Sequence, residues 1–468
     1  MQNIDYTQLL QDLTEEYRLR NPRSATMDEK ARQYLVDGGS HAIRLLQPFP
    51  PRITWARGAW LRDEDGHHLL DYWQGHLGNL LGHNPEVITA TLGAAFEAGV
   101  GLQTGMTEGL QIECAQILCQ QTGAERVRFT TSGTLATMYA IWLGRAYTGR
   151  DLIMKVGGGW HGAHPWGLTG VSYRDEYQGV ETEGLTEAIA DEVLVTRFNN
   201  PGILSDHFKQ YGERIACFIV EPFIGAGGSI PATQEYLETA RQMTEQYGSI
   251  LILDEVISGF RFRAGDAGAL YGVRPDLAVF GKIIGGGMPV AAVAGKADLM
   301  EQVGRAKSHK VKFSGGTYSA HPASLLATKT ILNHLVAQEA EIYPRLAAFG
   351  EQTRRTFEAA FIQEGILARC TGGESEVLPG SSLFRIHFPF RDDLLINTPE
   401  IAFDPRVCDV QLSQNVLGLA WLLEDVHMLH SHGAVSSAHA EAELAFLEQA
   451  SRRVARRVKA GIDSARIS

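Results

Sequence analysis

The chain has 468 residues, 44% apolar and 21% charged, with a formal net charge of -12. That length exceeds what one hydrophobic core serves and fits a large domain with a smaller companion. The acidic balance argues against nucleic acid or an anionic membrane as a partner, and no apolar run is long enough to span a bilayer. The polar, acidic N-terminus does not read as a signal peptide. Five scattered cysteines without a CxxC pair suit a reducing, cytoplasmic compartment and no structural zinc.

In chain order, residues 1–50 read as a helix followed by an irregular arm that ends in Pro48-Phe49-Pro50-Pro51. From Ile53 to Tyr72 the pattern predicts short antiparallel strands, with Asp65-Gly66 as a hairpin turn. Between about 100 and 325, short apolar runs (VRFTT, DLIMKV, ACFIVEP, ILILDEV, LAVFGK) alternate with helical stretches such as 134–146 and 232–247. Buried strands separated by helices imply a mostly parallel α/β sheet, and ligands of such sheets lie beyond the C-terminal ends of the strands. After about 330 the chain is helical again, with a strand expected at Gly380–Pro389 and a last helix, capped by Ser436-Ser437, running to about Lys459. The expected division is 1–75 as an N-terminal arm and part of the small domain, 76–330 as the large domain, and 331–468 as the rest of the small one.

Four features fall at expected strand ends. The turn Thr131-Ser132-Gly133-Thr134 opens a helix, where free N–H groups and hydroxyls bind a phosphate or simply cap the helix. Trp160, followed by His161-Gly162, either stacks on a flat ligand or belongs to the core. Asp254 ends a run of apolar residues that should bury it, which is costly unless it meets a cation, a metal or strong donors. Lys282 follows an apolar strand and precedes Gly285-Gly286-Gly287; burial there would make its amine nucleophilic, whereas at a surface loop it would be ordinary. The triple glycine lacks GxGxxG spacing, which removes a dinucleotide-dependent oxidoreductase. One ligand needs all four features: an aldehyde for the lysine, a protonated ring nitrogen for the aspartate, a phosphate, and a flat ring.

These residues, within FTTSGTLATMYAIWLGRAYTGRD (129–151), ILDEVISGFR (252–261) and PDLAVFGKIIGGGMPVAA (275–292), resemble class III aminotransferases of pyridoxal 5'-phosphate (PLP) fold type I. The likeness is greatest to the branch holding glutamate-1-semialdehyde 2,1-aminomutase and β-amino-acid aminotransferases. VEP (220–222) and FSGGTYSAHP (313–322) support it. The resemblance implies an α/β fold with a seven-stranded-type sheet, PLP held as a Schiff base on Lys282, and Asp254 on the ring nitrogen. It implies Val256 and Trp160 on the two ring faces, and Ser132, Gly133 and Thr134 at the phosphate. His161 and Glu221 complete the cofactor shell, and Thr317 reaches the phosphate of a neighbouring subunit, which implies a homodimer with shared sites. Arg44 lies near the family's carboxylate-binding arginine, and Gln74 and His76 fall where related enzymes line the substrate pocket.

Several positions depart from the family. Leu135 replaces a carboxylate, Ile224 and Ala226 replace amides expected near the cofactor's phenolic oxygen, and the stretch His430–Val435 lacks the aminomutase signature. His427, His430 and His432 lack the carboxylate or cysteine partners of a metal site. The expected activity is amino transfer between small molecules; the alternatives are an intramolecular aminomutase and a cofactor-bound protein of reduced activity.

Overall fold

The computed structural model describes residues 4–173, 177, 179–305 and 310–467. Its centre is a seven-stranded sheet in the spatial order Arg126–Thr130, Ala291–Gly295, Leu277–Phe280, Ile250–Glu255, Ile215–Val220, Leu152–Val156 and Val193–Thr196. Every neighbouring pair is parallel except those made by Ala291–Gly295, which runs antiparallel to both neighbours. Ile250–Glu255, Ile215–Val220 and Leu277–Phe280 are buried on both faces. This explains why they read as unbroken apolar runs rather than as alternating strands. The helices Gly133–Thr148 and Gln234–Tyr247 replace the expected 134–146 and 232–247, the second capped by the Thr233 hydroxyl.

The two ends of the chain share one core. Tyr6, and Leu9 and Leu13 of the helix Thr7–Arg20 that it precedes, cluster with Trp421 and with Leu447, Val454 and Val458 of helix Glu441–Ile467. The expected N-terminal meander is present as Ile53–Arg57, Trp60–Asp63 and His68–Asp71, turning at Gly66 (φ 94°). The region beyond 330 supplies a second, three-stranded antiparallel sheet of Arg369–Thr371, Leu383–His387 and His432–Ala434.

One expected boundary is wrong. The last helix starts at Glu441 and runs to Ile467. Ser436 is turned instead into a tight loop, where its N–H donates to His439 Nδ1 (3.0 Å), and the Ser437 N–H donates to the Leu80 carbonyl (2.8 Å). Two serines looked like a cap because capping and loop closure use the same short polar side chains. No helix among the described residues is long and apolar enough to cross a membrane.

Candidate active site

The C-terminal ends of the parallel strands open into a cavity of about 550 Å³. It is lined by Ser132, Gly133, Thr134, Trp160, His161, Glu221, Asp254, Val256 and Lys282 from those strand ends. Arg44 and His76 line it from the N-terminal segment. All the strand-end residues picked from the sequence therefore meet in one place, because each follows its strand by only a few residues.

Asp254 is the penultimate residue of strand Ile250–Glu255 and is 3% exposed. Its Oδ1 accepts the Val256 N–H (3.1 Å) and its Oδ2 faces His161 Nδ1 (2.8 Å). His161 is itself fixed by its carbonyl, which accepts from the Thr137 hydroxyl at 2.5 Å. Burial holds the His161 pKa below the usual histidine range despite the carboxylate beside it. Neutral His161 thus donates from Nδ1 and orients the aspartate without cancelling its charge.

Glu221 lies across the cavity, its Oε1 accepting from Trp160 N–H (3.1 Å) and its Oε2 from Gly225 N–H (3.0 Å). Burial, and then the charge of Asp254, push its pKa up to about 8, so it retains a proton at neutral pH. Burial lowers the Lys282 pKa against the opposing pull of Asp254 and Glu221, which raises the fraction of free amine. A second buried lysine, Lys155, does not compete for this role. Its Nζ is spent on the carbonyls of Gly159 (3.1 Å), Gly167 (3.2 Å) and Thr169 (2.6 Å).

The floor is tight enough to specify glycines. Helix Gly133–Thr148 begins against Val256, and a Cβ on Gly133 would lie 3.2 Å from both Val256 methyls. A Cβ on Gly162 (φ +95°) would come 2.6 Å from Thr134 Oγ1. Ser132 caps the helix, its Oγ accepting from Leu135 N–H (3.3 Å). The first N–H groups of an α-helix have no intrahelical partner, so this helix start leaves donors at the cavity. The Ser132–Thr134 turn therefore caps the helix and also lines the cavity.

Four consecutive residues enter the left-handed region at the opposite wall: Gln74 (φ 43°), Gly75 (61°), His76 (59°) and Leu77 (66°). Three are not glycine, a conformation costing roughly 1–2 kcal/mol per residue. The Asp71 carboxylate holds the turn, accepting from the N–H groups of Trp73 and Gln74, both at 2.9 Å. His83 Nε2 and His427 Nδ1 each lie 2.6 Å from the same carboxylate. This network explains His427, which belongs to Asp71, while His432 is buried beside Trp73 (ring centroids 6.4 Å apart). The histidines 427, 430 and 432 therefore do not converge on a common point. No group of three or more potential metal ligands occurs among the described residues.

Gln74, Leu135, Ile224 and Thr317, all singled out in the sequence, lie outside this cavity. Gln74 is 1% exposed and donates from Nε2 to the Asp71 carbonyl (2.7 Å), so it braces the turn and does not line the cavity. Leu135 packs against the sheet-facing helix core, and Ile224 is fully buried in a second core cluster, so neither lines the cavity. Thr317 is exposed and lies outside the cavity of its own chain. The sequence reading missed His41, Asn79 and the Met288–Val290 segment, which also line the wall. Asn79 lies three residues beyond His76, but nothing in its spacing separated it from its neighbours.

The donor set fits PLP: an amine of lowered basicity, a buried carboxylate held in its orientation, a helix N-terminus, and two side chains able to flank a ring. Residues 45–359 match the family described as aminotransferase class-III. The chain is 36% identical over 350 residues to glutamate-1-semialdehyde 2,1-aminomutase of Thermomicrobium roseum, covering 74% of this chain and 80% of that one. The β-phenylalanine aminotransferase of Variovorax paradoxus superimposes with a TM-score of 0.83 at 26% identity, over 96% of this chain and 97% of that one. A transaminase solved with PLP bound superimposes at 0.79 and 27% identity, over 95% and 99%. Strand-end chemistry, fold and sequence agree: the chain belongs to the class III aminotransferase family, PLP-dependent enzymes of fold type I.

Proposed function

We propose that the protein is a transaminase that takes the amino group from a carboxylate-bearing donor and passes it to a keto acid or aldehyde. The observation that carries this reading is the placement of Lys282, Asp254 and Glu221 around one cavity that Arg44 also lines. PLP, once bound, supplies an electron sink for the carbon that loses its proton. Lys282 holds the cofactor and then moves that proton, acting first as base and then as acid, a role for which burial has lowered its basicity. Asp254 keeps the ring nitrogen protonated, with His161 fixing its orientation. Ser132, Gly133 and Thr134 bind the phosphate at the helix N-terminus. Val256 and Trp160 would flank the ring, and Glu221, whose buried carboxyl favours the protonated form, would line the same cavity. Arg44 binds the substrate carboxylate, as a guanidinium does best.

The active form we propose is a homodimer. Leu102 (74% exposed), Met106 (69%) and Tyr318 (62%) leave apolar surface on neighbouring segments, which are tied by the Ala323 N–H to the Gly101 carbonyl (3.1 Å). Thr317, exposed and one residue from Tyr318, would serve a partner's phosphate site. The five unpaired cysteines support a cytoplasmic setting. The division into an N-terminal arm, a large domain ending near 330 and a C-terminal part of the small domain is supported by the sheet compositions.

The aminomutase reading is favoured by the name of the Thermomicrobium roseum relative. It is disfavoured by Ala226, whose side chain is exposed and offers no amide where the mutases place asparagine. Incubation of holoenzyme with single amino donors separates the two. Transfer is supported when a donor converts the cofactor to its amino form and releases one carbonyl product per site. Failure of every donor, together with isomerisation of an amino-aldehyde, would establish the mutase.

A further inference from the structure

Arg44 does not reach into the cavity alone. Its Nε donates to His76 Nε2 at 2.9 Å. His76 occupies the strained left-handed turn braced by Asp71, and its ring is wedged edge-on against Trp73 and His41, with centroids 4.6 Å and 4.7 Å away. To accept from Arg44, the imidazole must be neutral with its proton on Nδ1. Burial, and then the neighbouring charges of Arg44, His41 and Lys282, hold its pKa down to about 3. The same turn abuts the catalytic lysine: a Cβ on Gly78 would lie 3.5 Å from Lys282 Cβ. A strained turn that is over-determined by hydrogen bonds, beside the reactive amine, is where a functional constraint is expected.

We infer that His76 is a positioning and specificity-determining residue that aims Arg44, so that the pocket accepts anionic amino donors in preference to plain amines. This rests on the proposed role of Arg44 at the substrate carboxylate. Engaging Nε leaves the two terminal nitrogens of the guanidinium as the free edge, which fixes an end-on, two-point grip on a carboxylate. An unengaged arginine on the exposed arm would lose rotamer freedom at each binding event, and the His76 bond supplies that ordering beforehand. His76 cannot at the same time serve as a base toward substrate through Nε2, because that lone pair is committed to Arg44.

The test uses holoenzyme and two unreactive, isosteric probes, propanoate and propanamide, in ligand-observed NMR titrations. Wild type should prefer propanoate. His76→Phe, which keeps the ring packing but cannot accept, should reduce that preference about tenfold, the size of one lost charge-assisted hydrogen bond. His76→Gln, which can accept, should restore it to within about threefold. In an Arg44→Met background, His76→Phe should change nothing further. The inference is overturned if wild type shows no preference, if His76→Phe retains it, if Gln fails to rescue it, or if both probes weaken equally. Because neither probe turns over, a preserved preference in a protein that transfers no amino group would contradict the transaminase reading and leave the aiming of Arg44 standing.

Discussion

Lys282 and Lys155 are both enclosed by the protein, and the difference between them decides the chemistry. Lys155 donates to three carbonyls and braces the loop from Gly159 to Thr169, whereas Lys282 presents its amine to the cavity. Lys282→Ala should therefore reduce turnover by at least about 100-fold, the lower range for loss of a catalytic acid–base group, with thermal stability little changed. Asp254→Asn keeps the hydrogen-bonding shape but removes the charge that holds the ring nitrogen protonated. Turnover should fall on the order of 100-fold while cofactor affinity, measured by dialysis, falls much less. Glu221 offers a pH signature. Its raised pKa means that it carries a proton below about pH 8 and becomes an anion beside Asp254 above it. The pH profile of turnover should show an inflection there that Glu221→Gln removes; an unchanged profile would exclude Glu221 from the titration.

At the scale of elements, two short segments set the site: the start of helix Gly133–Thr148 and the left-handed turn Gln74–Leu77. Gly133→Ala should press a methyl on Val256 and cost about 1–3 kcal/mol, read as a lower Tm and weaker cofactor retention. The turn depends on Asp71. Burial alone would raise the Asp71 pKa, but hydrogen bonds from His427 and His83 outweigh it and hold the carboxyl below its ordinary 3.8. A depressed folded pKa gives stability that is present above 3.8 and is lost as pH falls through the lower folded value. Asp71→Asn should thus cost about 2 kcal/mol near neutrality and flatten the acid limb of the stability curve. Equal acid sensitivity in the variant would show that the carboxylate is not the group responsible.

These two segments also mark what was legible in the sequence. The parallel strands read clearly because burial on both faces demands continuous apolar runs, and the residues that follow them land together because the strands are parallel. The convergence of Asp254, Lys282 and the Ser132–Thr134 turn was therefore readable from position, while position left their roles open and the family resemblance supplied them. The turn at 74–77 was not, since its conformation is imposed by the Asp71 carboxylate, whose own orientation depends in part on His427, distant in sequence. For the same reason Gln74 looked like a pocket residue and is a brace, and His427 looked like part of a histidine trio and is a partner of Asp71.

At the scale of the whole molecule, a cavity finished by a neighbour would make activity depend on assembly. Sedimentation should show a dimer, and Leu102→Asp with Met106→Asp should dissociate it and reduce activity. Subunit mixing tests the sharing of sites. If Thr317 serves the partner's site, a hybrid of Lys282→Ala subunits with Thr317→Val subunits contains one site with both defects and one intact site. Such mixtures should exceed the activity of either parent, and failure to do so would place Thr317 outside the partner's site. Beneath assembly, specificity and pH lies one covalent claim, that this chain carries its cofactor on Lys282. Borohydride reduction of holoenzyme followed by peptide mass analysis tests it directly. The account requires the added cofactor mass on the peptide containing Lys282 and its absence from Lys282→Ala. Label on Lys155 or another lysine, or no label on a protein saturated with PLP, would contradict it.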